Sequence, residues 1–271
     1  MPGANVELLN TWRTEDQDLI TLWNEVRTKG EMITEKLAMN GPFTTDISKD
    51  IFESTADDEV VLCLNYDGKF GLNNVNSYFQ NKNTGKAVYW NEWCYKEGDR
   101  VLFNETARFS LLHNNLKGKI VKIEKGIDSI SFTIDIPIPL TEADCKKEEI
   151  ELIDVSEDSS RIRFNVYEYN DEMSDDEYYR MKTVIPFQLA YAVSIHKSQG
   201  LEYDSVKVVI PSANSEKITH GIFYTAITRA KKKLKIYSSS ETMEAIIKSF
   251  SEEKSGIKSL DIVKKKLKNL Y

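Results

Sequence analysis

The chain has 271 residues, of which 41% are hydrophobic and 29% charged, and its formal net charge is −7. This composition excludes a disordered chain and predicts a sizeable core in one or two domains. No basic, apolar leader opens the sequence, and no apolar run approaches the roughly 20 residues of a membrane helix. The three cysteines lie far apart without metal-ligand spacing, so we expect reduced thiols, no metal site and a cytoplasmic location.

The negative charge is unevenly distributed along the chain. Residues 140–180 hold fourteen Asp and Glu against five Lys and Arg, whereas lysines collect at 228–235 and 264–268. An acidic chain can therefore present a local basic face, and the net charge does not exclude a nucleic-acid partner.

The N-terminal part shows helix and strand patterns in alternation. Residues 15–39 predict an amphipathic helix that is interrupted near Gly30. Its apolar positions recur at helical spacing: Leu19, Leu22, Trp23 and Val26. Residues 59–66 then predict a buried strand, and residues 72–83 a short polar helix.

The pattern changes at Gly98. From there the segments alternate apolar and polar residues between short turns, which predicts a small all-β unit. Short apolar runs return near Val184, as expected for parallel strands that are covered on both faces. We therefore predict an interrupted α/β domain with these parts: residues 1–95 and 184–251 for the domain, 96–183 for the β-rich insertion and 252–271 for a C-terminal helix.

Three segments resemble motifs of superfamily 1 helicases. SIHKSQGLEYDSV at 194–206 resembles motif V, FYTAITRAKKKLKIY at 223–237 resembles motif VI, and residues 8–26 resemble motif IV, an aromatic–Arg–[Ser/Thr] followed by a helix. The motifs stand in family order, and the β insertion occupies the place of the 2B subdomain. Its opening GDRVLF is most similar to the RecD-like and Pif1-like branch. Ser194 replaces the usual threonine, and Trp12 the usual tyrosine.

The resemblance implies a RecA-like parallel-sheet domain, 2A, interrupted by an SH3-like 2B domain, as in UvrD-like C-terminal domains. It also implies the C-terminal motor half of an ATP-dependent DNA helicase or translocase. The sequence contains neither a G-x-x-x-x-G-K-[ST] loop nor an acidic pair after an apolar strand. We therefore expect ATP and Mg²⁺ to be bound mainly by an N-terminal RecA-like domain of the same protein, and this chain alone to be inactive.

Arginine is the residue type expected at a phosphoryl-transfer site, because guanidinium stays charged and presents a planar fork to phosphate oxygens. The resemblance makes Arg229, on a predicted helix, the motif VI arginine finger. Arg13 is the second candidate, with Trp12 beside it able to stack on adenine; a surface ion pair is the equal alternative for Arg13. The resemblance also assigns Gly200 and Glu202 to the nucleotide site, the glycine for a turn or close backbone approach and the glutamate near the ribose.

The resemblance assigns contact with single-stranded DNA to the polar residues of motif V. Ser194 and His196 would contact the strand, whereas Lys197 and Gln199 would help to shape or couple the two sites. The lysine run at 231–235 is predicted to be a solvated helix end, with direct phosphate contact as the alternative. No membrane partner is expected. A second class stays open, a non-catalytic nucleic-acid-binding or protein-interaction module that retains the 2A fold.

Overall fold

The computed structural model describes most of the chain in two compact units. The described residues are 13–39, 43–45, 51–53, 56–104, 108–169, 177–211 and 218–250. The first unit comprises residues 1–72 and 193–271, and the second comprises residues 73–192. Trp12 and the predicted C-terminal helix at 252–271 lie outside the described residues.

The described part of the chain contains short helices and strands in alternation. The helices are α1 (Gln17–Thr28), α2 (Ile33–Met39), α3 (Leu72–Lys82), α4 (Glu142–Lys147), α5 (Glu177–Lys182), α6 (His220–Ile227) and α7 (240–250). The strands are β1 (Phe43–Thr44), β2 (Glu59–Cys63), β3 (Ala87–Trp90), β4 (Trp93–Lys96), β5 (Arg100–Phe103), β6 (Lys117–Lys125), β7 (Ser129–Ile136), β8 (Glu151–Val155), β9 (Ser160–Tyr167), β10 (Phe187–Leu189), β11 (Ala192–Ser194), β12 (Tyr203–Val209) and β13 (Ala230–Tyr237). No helix among these residues is long and apolar enough to cross a membrane.

Helix α1 has defined signals at both ends. The Asp16 side chain accepts hydrogen bonds from the amides of Asp18 and Leu19, which satisfies donors of the first turn. The helix ends at Thr28, and the next residue, Lys29, caps it with a left-handed backbone (φ 53°) directly before Gly30. The four apolar residues that predicted this helix are all buried, so the amphipathic interpretation is confirmed.

The first unit contains a five-stranded sheet in the order β1-β13-β12-β2-β11. The pairs β1–β13, β13–β12 and β12–β2 are parallel, and every residue of β2 is buried. The expectation of a parallel sheet with covered strands is therefore confirmed.

A buried ion pair joins β2 to β12 inside this sheet. Lys207 Nζ lies 3.1 Å from Glu59 Oε1, and the two side chains are 4% and 3% exposed. Lys207 also donates to the carbonyl of Glu53, and the Ser205 hydroxyl donates to Glu59 Oε2 at 2.8 Å. Two charges removed from water are tolerated because each has its opposite charge and further hydrogen bonds.

The second unit contains a six-stranded sheet, β10-β5-β6-β7-β9-β8, whose pairs are all antiparallel, and the separate β3–β4 hairpin. Its core is rich in aromatic side chains. Phe132 lies at the centre, with ring centroids 5.0 Å from Phe187 and 5.3 Å from Tyr95 in edge-to-face geometry.

The boundaries of the second unit differ from the predicted insertion at 96–183. The unit begins at residue 73, because Val88 and Trp90 of the hairpin pack into the same core as the six-stranded sheet. It ends at residue 192, because β10 pairs with β5. The unit is β-rich and not all-β, since α4 and α5 lie within it. Its SH3-like character stays a prediction.

The buried ion pair gives a stability prediction. We expect Lys207→Ala to lower the free energy of unfolding by about 3–5 kcal/mol, because it leaves the Glu59 carboxylate buried without its cation. Urea denaturation measures this loss. Lys207→Met combined with Glu59→Leu should recover most of it, since the double change removes both charges.

An exposed ion pair supplies the matched control. Lys122 and Glu124 lie 2.8 Å apart with side chains 56% and 47% exposed. Lys122→Ala should change the free energy of unfolding by about 1 kcal/mol at most. A loss in Lys207→Ala no larger than this would contradict the assignment of a structural buried pair.

Candidate nucleotide and DNA site

A polar segment of consecutive turns, residues 195–202, joins β11 to β12. Ser198 donates its amide to the Ser194 carbonyl at 3.0 Å, and Leu201 donates its amide to the Ser198 carbonyl at 2.9 Å. Ser198 is fully buried, and its hydroxyl donates to the Ile195 carbonyl at 2.6 Å. Ser198 therefore stabilises the turns from inside, a role that sequence analysis did not assign to it.

The predicted DNA-contacting residues divide into an exposed and a buried group. His196 and Gln199 are exposed, and Lys197 is half-buried. Ser194 is 8% exposed, and its hydroxyl accepts the amide of Lys197 at 3.2 Å. The Ser194 side chain thus holds the start of the segment, whereas His196 and Gln199 face solvent.

The polar segment links opposite ends of the sheet. At its start, the Ile195 amide donates to the carbonyl of Cys63, the last residue of β2, at 3.2 Å. At its end, the Leu201 carbonyl accepts Arg229 Nη1 at 3.0 Å, and the Tyr203 amide donates to the Arg229 carbonyl at 2.9 Å. The predicted DNA residues therefore lie near the first end, and the predicted nucleotide residues near the second.

Gly200 has a left-handed backbone with φ +87°, and a Cβ there would meet nothing within 4 Å. The glycine is thus required by backbone conformation, while the space beside it is open.

Arg229 lies in the short turn between α6 and β13, not on a helix as predicted. β13 starts at the next residue, because Ala230 is the parallel partner of Tyr203 on β12. The guanidinium donates Nε to the Thr225 carbonyl at 2.9 Å and Nη2 to the Thr228 hydroxyl at 3.1 Å, in addition to the bond with Leu201. The residue is only 9% exposed.

The guanidinium of Arg229 lies near two charged side chains, Arg13 and Glu202. Burial lowers its pKa, and the positive charge of Arg13 lowers it further, whereas the Glu202 carboxylate raises it. A guanidinium has five N–H groups, and three of those on Arg229 have acceptors among the described residues. The other two suit a further anionic acceptor.

Arg13 forms an ion pair with Glu202. Its Nε lies 2.6 Å from Glu202 Oε1, and the side chains are 25% and 41% exposed. The adjacent Thr14 hydroxyl donates to the Lys231 carbonyl at 2.5 Å, which ties this part of the chain to β13. The ion-pair alternative for Arg13 is therefore observed. The structure nevertheless brings together Arg13, Glu202 and Arg229, three residues predicted for one site.

The lysine run after Arg229 is a strand, not the predicted helix end. Lys231 and Lys232 lie on β13 and pair with Asp204, at 3.4 Å and 2.7 Å. Hydrogen bonding to Lys232 lowers the pKa of Asp204. These two lysines bind a neighbouring strand of the sheet, a partner that the sequence pattern does not indicate.

Known proteins are similar to this chain in the region that contains the candidate site. Residues 189–237 match the family model of the UvrD-like helicase C-terminal domain, a range that includes motif V and motif VI. The chain is 38% identical over 68 residues to the RecBCD enzyme subunit RecD of Mycobacterium tuberculosis, covering 25% of this chain and 12% of that protein. Residues 189–237 are therefore similar to the C-terminal domain of UvrD-like helicases, and this similarity supports the resemblance to superfamily 1 helicases.

Two further similar proteins match more of the chain. RecD of Buchnera aphidicola is 24% identical over 190 residues, covering 70% of this chain and 26% of that protein. A crystal structure of Pif1 helicase from Bacteroides with ADP-AlF3 and single-stranded DNA has a TM-score of 0.48 and 16% identity, over 87% of this chain and 52% of that one. The chain thus spans about an eighth to a quarter of these two RecD proteins.

The bonds of Arg229 predict a structural contribution from this residue. We expect Arg229→Ala in the 271-residue chain to lower the free energy of unfolding by about 1–3 kcal/mol, because it removes donors from the carbonyls of Leu201 and Thr225. Thermal and urea denaturation measure the change. Lys232→Ala, at a 71% exposed side chain of the next strand, should change it by about 1 kcal/mol at most. Equal effects would contradict the anchoring role of Arg229.

Proposed function

We propose that this chain is the C-terminal motor half of an ATP-dependent DNA helicase or translocase, with Arg229 as its arginine finger. The observation that carries the proposal is the fixed guanidinium of Arg229. Three hydrogen bonds hold it at the junction of two helicase-like motifs, beside Arg13 and Glu202. RecD proteins are the relatives that support this class.

A fixed guanidinium suits phosphoryl transfer for a physical reason. Negative charge spreads over the transferring phosphoryl group in the transition state, and a donor that is already in place stabilises it without reorganising. The bonds to Thr225, Thr228 and Leu201 fix the position of Arg229, and the two remaining N–H groups can donate to phosphate oxygens. Arg13 adds a second positive charge nearby.

The residues of this site fit one wall of an ATP site. Two arginines match the anionic phosphates, and Glu202 can accept a hydrogen bond from a ribose hydroxyl. Mg²⁺ prefers several carboxylate, phosphate and water oxygens, and no cluster of three acidic, His or Cys side chains among the described residues could hold a metal ion. We assign Mg²⁺ and the phosphate cradle to an N-terminal RecA-like domain, so that this chain alone does not hydrolyse ATP.

The polar segment provides the proposed contact with single-stranded DNA. His196 and Gln199 are exposed and carry hydrogen-bonding groups, and Lys197 adds a positive charge. Ser194 acts through the backbone by holding the first turn. Because Arg229 binds the Leu201 carbonyl near the other end of the same segment, a shift at the nucleotide end can move the DNA end and couple ATP turnover to strand movement.

The finger assignment predicts a loss of turnover without loss of DNA binding. In the full-length protein, Arg229→Lys keeps a positive charge but loses the planar fork, and we expect the DNA-stimulated ATPase rate to fall by about 10³-fold. Affinity for single-stranded DNA should fall far less than the ATPase rate, by about fivefold at most, since the residues proposed to contact the strand lie at the other end of the polar segment. Steady-state ATPase assays and fluorescence anisotropy measure the two quantities.

Arg161→Lys is the matched control for this experiment. Arg161 forms an exposed ion pair with Asp135 in the second unit, at 2.7 Å. The ATPase rate of the Arg161→Lys variant should therefore equal that of the unmodified protein. An Arg229→Lys rate within about a factor of two of the unmodified protein would refute the finger. Melting temperatures of both variants separate this outcome from a loss of folding.

The DNA assignment predicts the opposite pattern for His196. We expect His196→Ala to weaken single-stranded DNA binding and DNA stimulation of the ATPase by about tenfold, because an exposed base- or phosphate-contacting group is lost. Basal ATPase should stay unchanged. His113→Ala, at an exposed histidine of the second unit, is the control. Unchanged DNA affinity in His196→Ala would remove this residue from the DNA contact.

A further inference from the structure

Helix α3 carries a polar stripe that faces the chain just before the polar segment. Asn76 and Gln80 lie on one face of the helix, and Asn83 continues this spacing as the first residue after its end at Lys82. Asn76 is buried, its Oδ1 accepts the amide of Ala192 at 2.8 Å, and its Nδ2 donates to the Ala192 carbonyl at 3.0 Å. One side-chain amide therefore pairs with both main-chain groups of Ala192, as a neighbouring strand would.

The stripe continues to a buried carboxylate, Asp99. This residue has 0% exposure, and its two oxygens accept four hydrogen bonds. Oδ1 accepts from Asn83 Nδ2 at 2.8 Å and from the Tyr191 hydroxyl at 2.9 Å, and Oδ2 accepts from Gln80 Nε2 at 2.7 Å and from the Lys96 amide at 2.8 Å. Four directed donors fill the acceptor sites of a carboxylate and fix its orientation.

Tyr191 is held both at its hydroxyl and at its ring. The ring stacks on Phe79 with centroids 5.8 Å apart and an interplanar angle of 16°, and the Arg100 guanidinium lies 5.8 Å from the ring centroid. Burial and the charge of Asp99 raise the pKa of Tyr191, so the hydroxyl keeps its proton and donates to Asp99 at neutral pH.

These contacts fix two consecutive residues, Tyr191 and Ala192, and only Val193 lies between them and Ser194. We propose that Asp99 and Asn76 are positioning residues for Ser194 and the polar segment at 195–202, so that the DNA affinity of this segment depends on the hydrogen-bond network in the second unit. Neither residue reaches DNA in this role; each acts through the backbone at 191–192. The inference rests on the proposed DNA contact by the polar segment.

The test removes one hydroxyl and leaves the ring. Tyr191→Phe in the 271-residue chain deletes one donor to Asp99 and keeps the stack on Phe79. We expect affinity for a fluorescent oligothymidylate to fall about fivefold or more, the lower range of coupling between linked sites. Amide hydrogen exchange should accelerate at 193–200 and stay unchanged in β7 and β9. Asn76→Ala, which removes the other anchor, should act in the same direction.

Tyr89→Phe is the control, since Tyr89 is a 66% exposed tyrosine of the same unit, and it should change neither readout. The proposal is overturned if Tyr191→Phe leaves the oligothymidylate affinity unchanged. It is also overturned if protection is lost evenly over β7, β9 and 193–200, because the hydroxyl would then only stabilise the fold. Should the unmodified chain not bind the oligothymidylate, the proposed DNA contact fails, and unchanged exchange at 193–200 in Tyr191→Phe would then refute the positioning role separately.

Discussion

The hydrogen bonds between Arg229 and the backbone at Leu201 and Tyr203 are the constraint on which the candidate site depends. They arise because β12 and β13 run parallel with Tyr203 opposite Ala230, so the residues that precede both strands meet at one edge of the sheet. Glu202 reaches Arg13 from the same edge. The site is therefore a product of strand register, and a shift of one residue would turn these side chains away from one another.

Much of the fold and part of the site follow from the sequence. Short apolar runs predict the parallel strands, and helical spacing predicts α1. The change of periodicity at Gly98 predicts a β-rich region. The nucleotide residues were predicted from motif resemblance, and the structure brings Arg13, Glu202 and Arg229 together. Motifs are informative here because several hydrogen-bonding side chains in a fixed order between apolar strands have few purely structural explanations.

The rest depends on contacts between distant parts of the chain. The helical spacing before Arg229 continues past the true helix end, because pairing with β12 recruits Ala230 into a strand. Local alternation at the β3–β4 hairpin does not indicate which core Trp90 joins, so the predicted start of the insertion at residue 96 differs from the start of the second unit at residue 73. A lysine and a glutamate in two strands suggest solvent-facing positions, yet Glu59 and Lys207 neutralise one another in the sheet interior. Local patterns do not encode such partners.

At Gly200 the backbone conformation, and not the available space, limits which amino acid the chain can carry. Its φ of +87° is a backbone conformation that strains L-amino acids with a side chain, although a Cβ built at this position would have no neighbouring atom within 4 Å. A mirror-image alanine introduced by chemical synthesis would favour this backbone region, and it would fill the open space with one carbon atom. Comparing L-alanine with D-alanine at residue 200 would therefore separate two effects. One is the backbone conformation that the turn requires, and the other is the filling of space that a ligand could occupy.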